Sequence, residues 1–192
     1  MTNRSATYVV LPRGINVGGK NKVGMADLKK HLEAAGFENV VSHSLAGNLI
    51  VDSPLASDAV SAKVEKLLDA KFKLDRDVMV VAIERKAFAR IVAAAPKEFG
   101  ADDAKYRYYV LFLKDITAKA AMKDVEVRPE IDAAWTGPGA IYFRLPSLKS
   151  GLATKSWLNR ITQKPLYQKV TMRNWATTKK IAQILEKAES TP

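Results

Sequence analysis

Hydrophobic positions along this chain switch between a strand-like and a helix-like period. Residues 8–11 form a short apolar run closed by Pro12, Arg13 and Gly14, which predicts a strand. Residues 14–24 are glycine-rich and polar and read as a loop. Met25, Leu28, Leu32 and Ala35 then recur at helical spacing. Gly36 suits the left-handed stop of that helix, and Phe37 is placed to fold back onto Leu32. Residues 40–44 and 49–51 are two strand-like runs joined by Ala46-Gly47-Asn48, the pattern of a hairpin. Ser53-Pro54 predicts a helix start, a capping hydroxyl followed by proline at the first helical position. Val60, Val64, Leu67 and Leu68 make the apolar face of that helix, and residues 78–83 read as a buried strand. The order strand, helix, strand, strand, helix, strand is that of ferredoxin-like domains.

A connecting helix over 86–95 carries Phe88, Ile91 and Val92 on one face and ends at Pro96. Residues 96–104 are polar and turn-rich, so a domain boundary is expected there. It divides the chain into 1–95, an N-terminal ferredoxin-like half plus the connecting helix, and 105–192, a C-terminal half plus a terminal helix. In the second half, residues 106–113 predict a strand and 117–123 a short helix. Residues 133–136 and 141–145 flank Gly137-Pro138-Gly139 as a second hairpin. Leu152, Leu158 and Ile161 fit a helix, 170–172 a last strand, and Trp175, Ile181, Ala182 and Leu185 the inner face of a final helix. Aligning Tyr8 with Arg107 takes an offset of 99 and aligning Asn48 with Ala140 takes 92, so the repeat lies in element order rather than residue identity. Each half alone would leave a hydrophobic face uncovered. The expected fold is therefore α+β: two ferredoxin-like (βαββαβ) halves packed together around a cleft, with a C-terminal helix.

Composition narrows the classes. The 192 residues are 47% hydrophobic and 27% charged, the balance of a globular protein, which argues against disorder and fibrous folds. With no cysteine, disulfides, thiolate catalysis and cysteine–zinc sites are excluded. No apolar run approaches the ~20 residues of a membrane span, and the opening segment lacks a signal-peptide pattern. A cytoplasmic protein without a membrane partner is expected. The formal charge is +11. Between Asp132 and Glu186 there is no acid, while Arg144, Lys149, Lys155, Arg160, Lys164, Lys169, Arg173, Lys179 and Lys180 all fall there. That stretch reads either as a solvated surface or as a face for phosphates or nucleic acid.

The segment from Arg13 to Lys22 follows a strand and precedes a helix. Gly14, Gly19 and Lys20 match most of the phosphate-loop pattern, but Asn21 stands where the magnesium-binding hydroxyl belongs. A nucleotide-hydrolysing loop is not supported. What survives is an anion site built from backbone N–H groups with Arg13, Lys20 and Lys22, against a purely structural loop whose glycines permit positive φ.

LPRGINVGGKNKVGMADLKKHLEAAGFENV, AGNLIV and KVTMRNWATTKKI resemble a bacterial domain-of-unknown-function family, numbered 1697, whose members carry LRGINVGG-, SGN- and RNWNT-type motifs. The resemblance implies an α+β fold with ferredoxin-like halves and no established activity, substrate or cofactor. Pro12, Ala46 and Ala176 depart from the usual leucine, serine and asparagine, which weighs against a catalytic role at the last two positions.

In the closing motif, Asn174 suits a helix cap, Trp175 either a core anchor or a stacking surface, and Arg173 either a surface charge or an anion clamp. Arg13, Asn16, Gly18, Gly19, Lys20, Asn48, Arg173, Asn174 and Trp175 are the candidate ligand-binding residues, expected to converge on one cleft. His31 and His43 are too far apart in sequence to argue for a metal, and none is expected. Tyr106, Tyr108 and Tyr109 interleave with Lys105 and Arg107, a pattern shared by single-strand binders and by ordinary aromatic strands. The expected function is binding of a nucleotide or nucleic acid through a basic surface. The alternative is an enzyme acting on a small phosphorylated metabolite, with no catalytic base identified.

Overall fold

The computed structural model describes residues 5–189. The chain forms two compact units, one built from the chain up to Phe88 together with the segment starting at Gln183, the other Ala89–Ala182.

The first unit contains β1 (Ala6–Pro12), α1 (Met25–Ala34), β2 (Glu38–His43), β3 (Asn48–Ser53), α2 (Ser57–Lys71) and β4 (Val80–Glu84). Its antiparallel sheet has the order β2-β3-β1-β4. Alternation along the strands sends Tyr8, Val10, Leu49 and Val51 to one face, where Leu28 and Leu32 of α1 and Val60, Val64 and Leu68 of α2 cover them. Each such side chain contributes about 1.5–3 kcal/mol by leaving water. α1 stops as its sequence requires: Gly36 adopts φ +86°, and the Phe37 N–H donates to the Leu32 carbonyl at 3.1 Å. α2 begins later than Ser53-Pro54 suggests. Ser53 Oγ accepts from the Leu55 N–H in a local turn, and Ala56 precedes the first helical residue. The hydroxyl is satisfied two residues on, so it cannot serve a helix that starts at Ser57. α2 in turn supplies acceptors to the outer edge of β4, Glu65 Oε1 to Val80 N–H (2.7 Å) and Ser61 Oγ to Ala82 N–H (3.0 Å).

α3 (Arg85–Ala93) runs from the first unit into the second, which continues with β5 (Tyr106–Leu113), α4 (Ala118–Ala121), β6 (Ala133–Gly137), β7 (Ala140–Pro146) and β8 (Val170–Asn174); α5 (Trp175–Glu189) starts in the second unit and belongs to the first from Gln183 onward. The second sheet is also antiparallel and repeats the order, β6-β7-β5-β8. The helix expected through Leu152, Leu158 and Ile161 is instead a series of short 3-10 turns between 148 and 169. Gly151 takes a left-handed φ, Pro165 opens a new turn, and the Ser150 and Ser156 hydroxyls accept the backbone N–H groups of Leu152 and Leu158. Each interrupts helical propagation. Two of the three expected positions still perform the helix's packing role: Leu158 and Ile161, with Trp157 and Leu166, bury against Leu111, Ile141 and Phe143, whereas Leu152 is exposed.

Strand register also revises the repeat. Tyr8 pairs with Val51 and Glu84, and Tyr109 pairs with Phe143 and Asn174. Tyr8 thus corresponds to Tyr109, an offset of 101 rather than 99, while the hairpins keep 92. The two-residue shift preserves which side chains face the core.

Tyr142 on β7 is fully buried, and its hydroxyl donates to the Ile91 carbonyl. Burial pushes its pKa up to about 12. This stabilisation is complete below the unfolded tyrosine value near 10 and is lost as pH rises through about 12. Tyr142→Phe should cost about 1–3 kcal/mol at neutral pH by orphaning that carbonyl. It should also remove this alkaline step, as read by urea unfolding across a pH series.

Candidate functional site

The opening loop closes on itself. Gly14, Asn16, Gly18, Gly19 and Asn21 all have positive φ. Asn16 Nδ2 donates to the carbonyls of Val23 and Leu45, and its Oδ1 accepts from the Val23 N–H, each at 2.9 Å. Buried Asn21 is locked to Asp75 by two bonds, Asn21 N–H to Asp75 Oδ2 at 3.1 Å and Asp75 N–H to Asn21 Oδ1 at 2.8 Å. Gly18 and Gly19 occupy the centre of a tight turn in which Lys20 N–H donates to the Val17 carbonyl, a geometry that needs positive φ at both positions. The tip from Val17 to Lys20 is exposed. The start of α1 lies beyond the loop, and there the Asp27 carboxylate sits against Gly24, so the positive end of that helix already faces an acid.

Arg13 is half-buried, its N–H donating to the Met79 carbonyl. Asn48 is buried and donates to His43 O and Ser44 Oγ across the hairpin. Ile15 packs so closely on Gly47 that any Cβ there would collide with it. Arg13, Asn16, Gly18, Gly19, Lys20 and Asn48 thus belong to the first unit, and Arg173, Asn174 and Trp175 to the second.

In the second unit the sheet itself creates a cleft. β5 begins at Tyr106, but β8 pairs with it only from Tyr109 onward, because the chain turns into α5 after Asn174. Residues 106–108 therefore have no strand on that side. The resulting notch, about 260 Å³, is lined by Asp103, Tyr106, Arg107, Tyr108, Tyr109, Asn174, Trp175, Ala176 and Lys179. Alternation puts Tyr106 and Tyr108 on one sheet face and Arg107 and Tyr109 on the other; where the edge is open, both sets reach the same space. Arg107 Nε and Nη2 are shielded from water and find no acceptor among the described residues.

Asn174 caps α5, its Oδ1 accepting from the Thr177 N–H at 2.7 Å. Trp175 is half-buried, edge-on to Phe99 with ring centres 5.3 Å apart and with Lys179 Nζ 5.9 Å from its ring centre. It is both anchor and cleft wall. Arg173 points to the other sheet face and is buried, donating to Thr171 Oγ1 (3.1 Å) and the Met172 carbonyl (2.8 Å). Burial pushes its pKa down to about 10, which leaves it charged at neutral pH. Arg173 is not among the residues lining the notch.

A second cleft of about 230 Å³ shares Tyr106 and Tyr108 with the notch and is completed by Pro96, Glu98, Phe99, Ala101, Asp102, Trp135 and Arg144. Phe99 stands in edge-to-face contact with Tyr108, Trp135, Tyr142 and Trp175. Within the polar, turn-rich stretch 96–104, Phe99 is the buried ring at the centre of these contacts. The interleaved aromatic and basic residues of β5 carried a legible signal for Arg107 and Tyr109. Lys179, one helical turn after Trp175, carried a weaker one.

No helix among the described residues is long and apolar enough to cross a membrane, and none of their His, Asp and Glu side chains group into a metal-holding set.

Gly100 has φ +90° and abuts the Trp175 indole, with no room for a Cβ. Gly100→Ala should cost on the order of 2 kcal/mol or more through strain and overpacking, with a shift in tryptophan emission. Asn174→Ala should cost about 1 kcal/mol through loss of the cap. Denaturant unfolding checks both.

The family described as a protein of unknown function, DUF1697, matches residues 5–142, which ends before the Arg173–Trp175 corner. No curated protein matches the chain. The solved structure of a conserved bacterial protein, SP0830 from Streptococcus pneumoniae, is similar, with 25% identity, a TM-score of 0.76, and coverage of 95% of this chain and 99% of that one. With the family match spanning well over half of its length, the chain belongs to the DUF1697 family.

Proposed function

We propose that the second unit binds a nucleotide, free or as part of a nucleic acid, in the notch beside β5. The observation that carries this reading is the lining itself. Four aromatic side chains, Tyr106, Tyr108, Tyr109 and Trp175, line the notch together with a guanidinium, Arg107, two of whose nitrogens find no acceptor among the described residues. A sheltered donor left unpaired costs about 1–3 kcal/mol, and a phosphate oxygen would relieve that cost. Aromatic faces complement the other half of a nucleotide, since base stacking contributes about 1–3 kcal/mol per base.

Charge distribution supports the same reading. Residues 89–182 hold 17 Lys+Arg against 8 Asp+Glu, a net +9 of the chain's +11. The notch volume of about 260 Å³ lies below the ~300–1,000 Å³ of drug-sized ligand sites, which favours one planar ring over a dinucleotide cofactor.

The test is fluorescence titration with adenosine and cytidine monophosphates of the unaltered chain and of Trp175→Phe, which separates the Trp175 signal from those of Trp135 and Trp157. Binding should weaken with added salt, and Arg107→Gln should lose about tenfold or more in affinity, as removal of a charged hydrogen bond would. Saturable binding that ignores both salt and Arg107→Gln would discard the reading, as would a flat titration at low salt.

A further inference from the structure

The notch and the neighbouring cleft have matching parts. Each contains a tryptophan, Trp175 in the first and Trp135 in the second. Each contains an arginine with a sheltered nitrogen that finds no acceptor among the described residues, Arg107 in the first and Arg144 in the second. Tyr106 and Tyr108 form the wall between them, lining both. The Arg144 guanidinium carbon stands 4.2 Å from the centre of the Tyr106 ring. One strand therefore presents two compartments of similar size, about 260 and 230 Å³, on either side of one aromatic ridge.

We infer that the two clefts are consecutive subsites for adjacent nucleotides of a single-stranded oligonucleotide. This rests on the nucleotide reading of the notch and extends it from a mononucleotide to a chain. Neither compartment is large enough for two nucleotides, while a shared wall suits two bases joined by one phosphodiester. Single-strand binders use this combination of stacking rings and cations along the backbone. A duplex is disfavoured, because bases paired and stacked in a helix do not present separate rings to separate pockets.

The acids in both compartments refine the chemistry. Asp103 lines the first, and Glu98 and Asp102 line the second. Asp102 is engaged by its own turn, Oδ1 accepting from the Lys105 N–H at 3.0 Å and Oδ2 standing 3.6 Å from Lys105 Nζ. Carboxylates repel phosphate but accept from exocyclic amines, as in contacts to cytosine N4. The bases thus occupy the pockets, with the phosphates toward Arg107 and Arg144. Amine-bearing bases are preferred over thymine and uracil.

The experiment is calorimetric titration at low salt with cytidine monophosphate, the 5′-phosphorylated cytidine dinucleotide and the matching uridine dinucleotide. The cytidine dinucleotide should bind at least tenfold more tightly than the monophosphate and more tightly than its uridine counterpart. Trp135→Ala and Arg144→Gln should each bring the cytidine dinucleotide back to within about twofold of the monophosphate. Trp135 lies on edge strand β6, is 37% exposed and meets Phe99 edge-on, so circular dichroism confirms folding of both variants and an unchanged affinity for cytidine monophosphate confirms that the notch is intact. Monophosphate binding with no dinucleotide gain, or a gain that survives both substitutions, would overturn the tandem subsites alone. Absence of binding by all three compounds would overturn the nucleotide reading with them.

Discussion

Much of the second unit's surface follows from one mismatch in strand length. β5 starts three residues before its pairing with β8 begins, and Asn174 ends β8 by serving as the cap of α5. The capping bond and the last strand pair involve the same residue, so the chain cannot continue alongside Tyr108, Arg107 and Tyr106. It turns away and sets Trp175 at the open edge. A notch in a sheet usually exposes unpaired backbone, a liability for aggregation. Here it is walled by aromatic rings and a cationic helix face, which makes it concave rather than a flat template.

Support for that wall comes from Phe99. Its ring meets four other aromatic residues, and Gly100 beside it leaves room for the Trp175 indole. The segment that connects α3 to β5 is thereby tied into the second unit, not left as a spacer. The corresponding corner of the first unit, where β4 runs into α3, has Glu84 and Arg85 in place of Asn174 and Trp175. The two halves share a topology but not this chemistry.

The conspicuous glycine loop has a different character. Two asparagine side chains of the loop, with Asp75 from outside it, satisfy polar backbone groups there, and Ile15 against Gly47 joins it to the β2–β3 hairpin. A pattern that looks like phosphate chemistry in one dimension is, at Asn16 and Asn21, a set of local staples. Spacing alone cannot separate the two, because both need left-handed backbone and small residues. The distinction lies in where the side-chain amides point, and Asp75, 54 positions away from Asn21, is part of that answer.

Residue periodicity was sufficient for the order of elements in both halves, the hairpins, the Gly36 stop and the Asn174 cap, since each depends on a few neighbouring residues. It misjudged the start of α2, because Ser53 finds a closer partner in Leu55. It also misjudged the segment from 147 to 169, where apolar spacing survives without a helix. What it could not reach was register. Tertiary pairing alone determined that Tyr109 opposes Asn174, that residues 106–108 pair with β7 but have no strand on the β8 side beside Trp175, and that Arg173 turns inward while its neighbour faces the notch. The reason is physical: local preference acts over a few residues, whereas strand register is decided by side chains 65 positions apart that meet only once the sheet has formed.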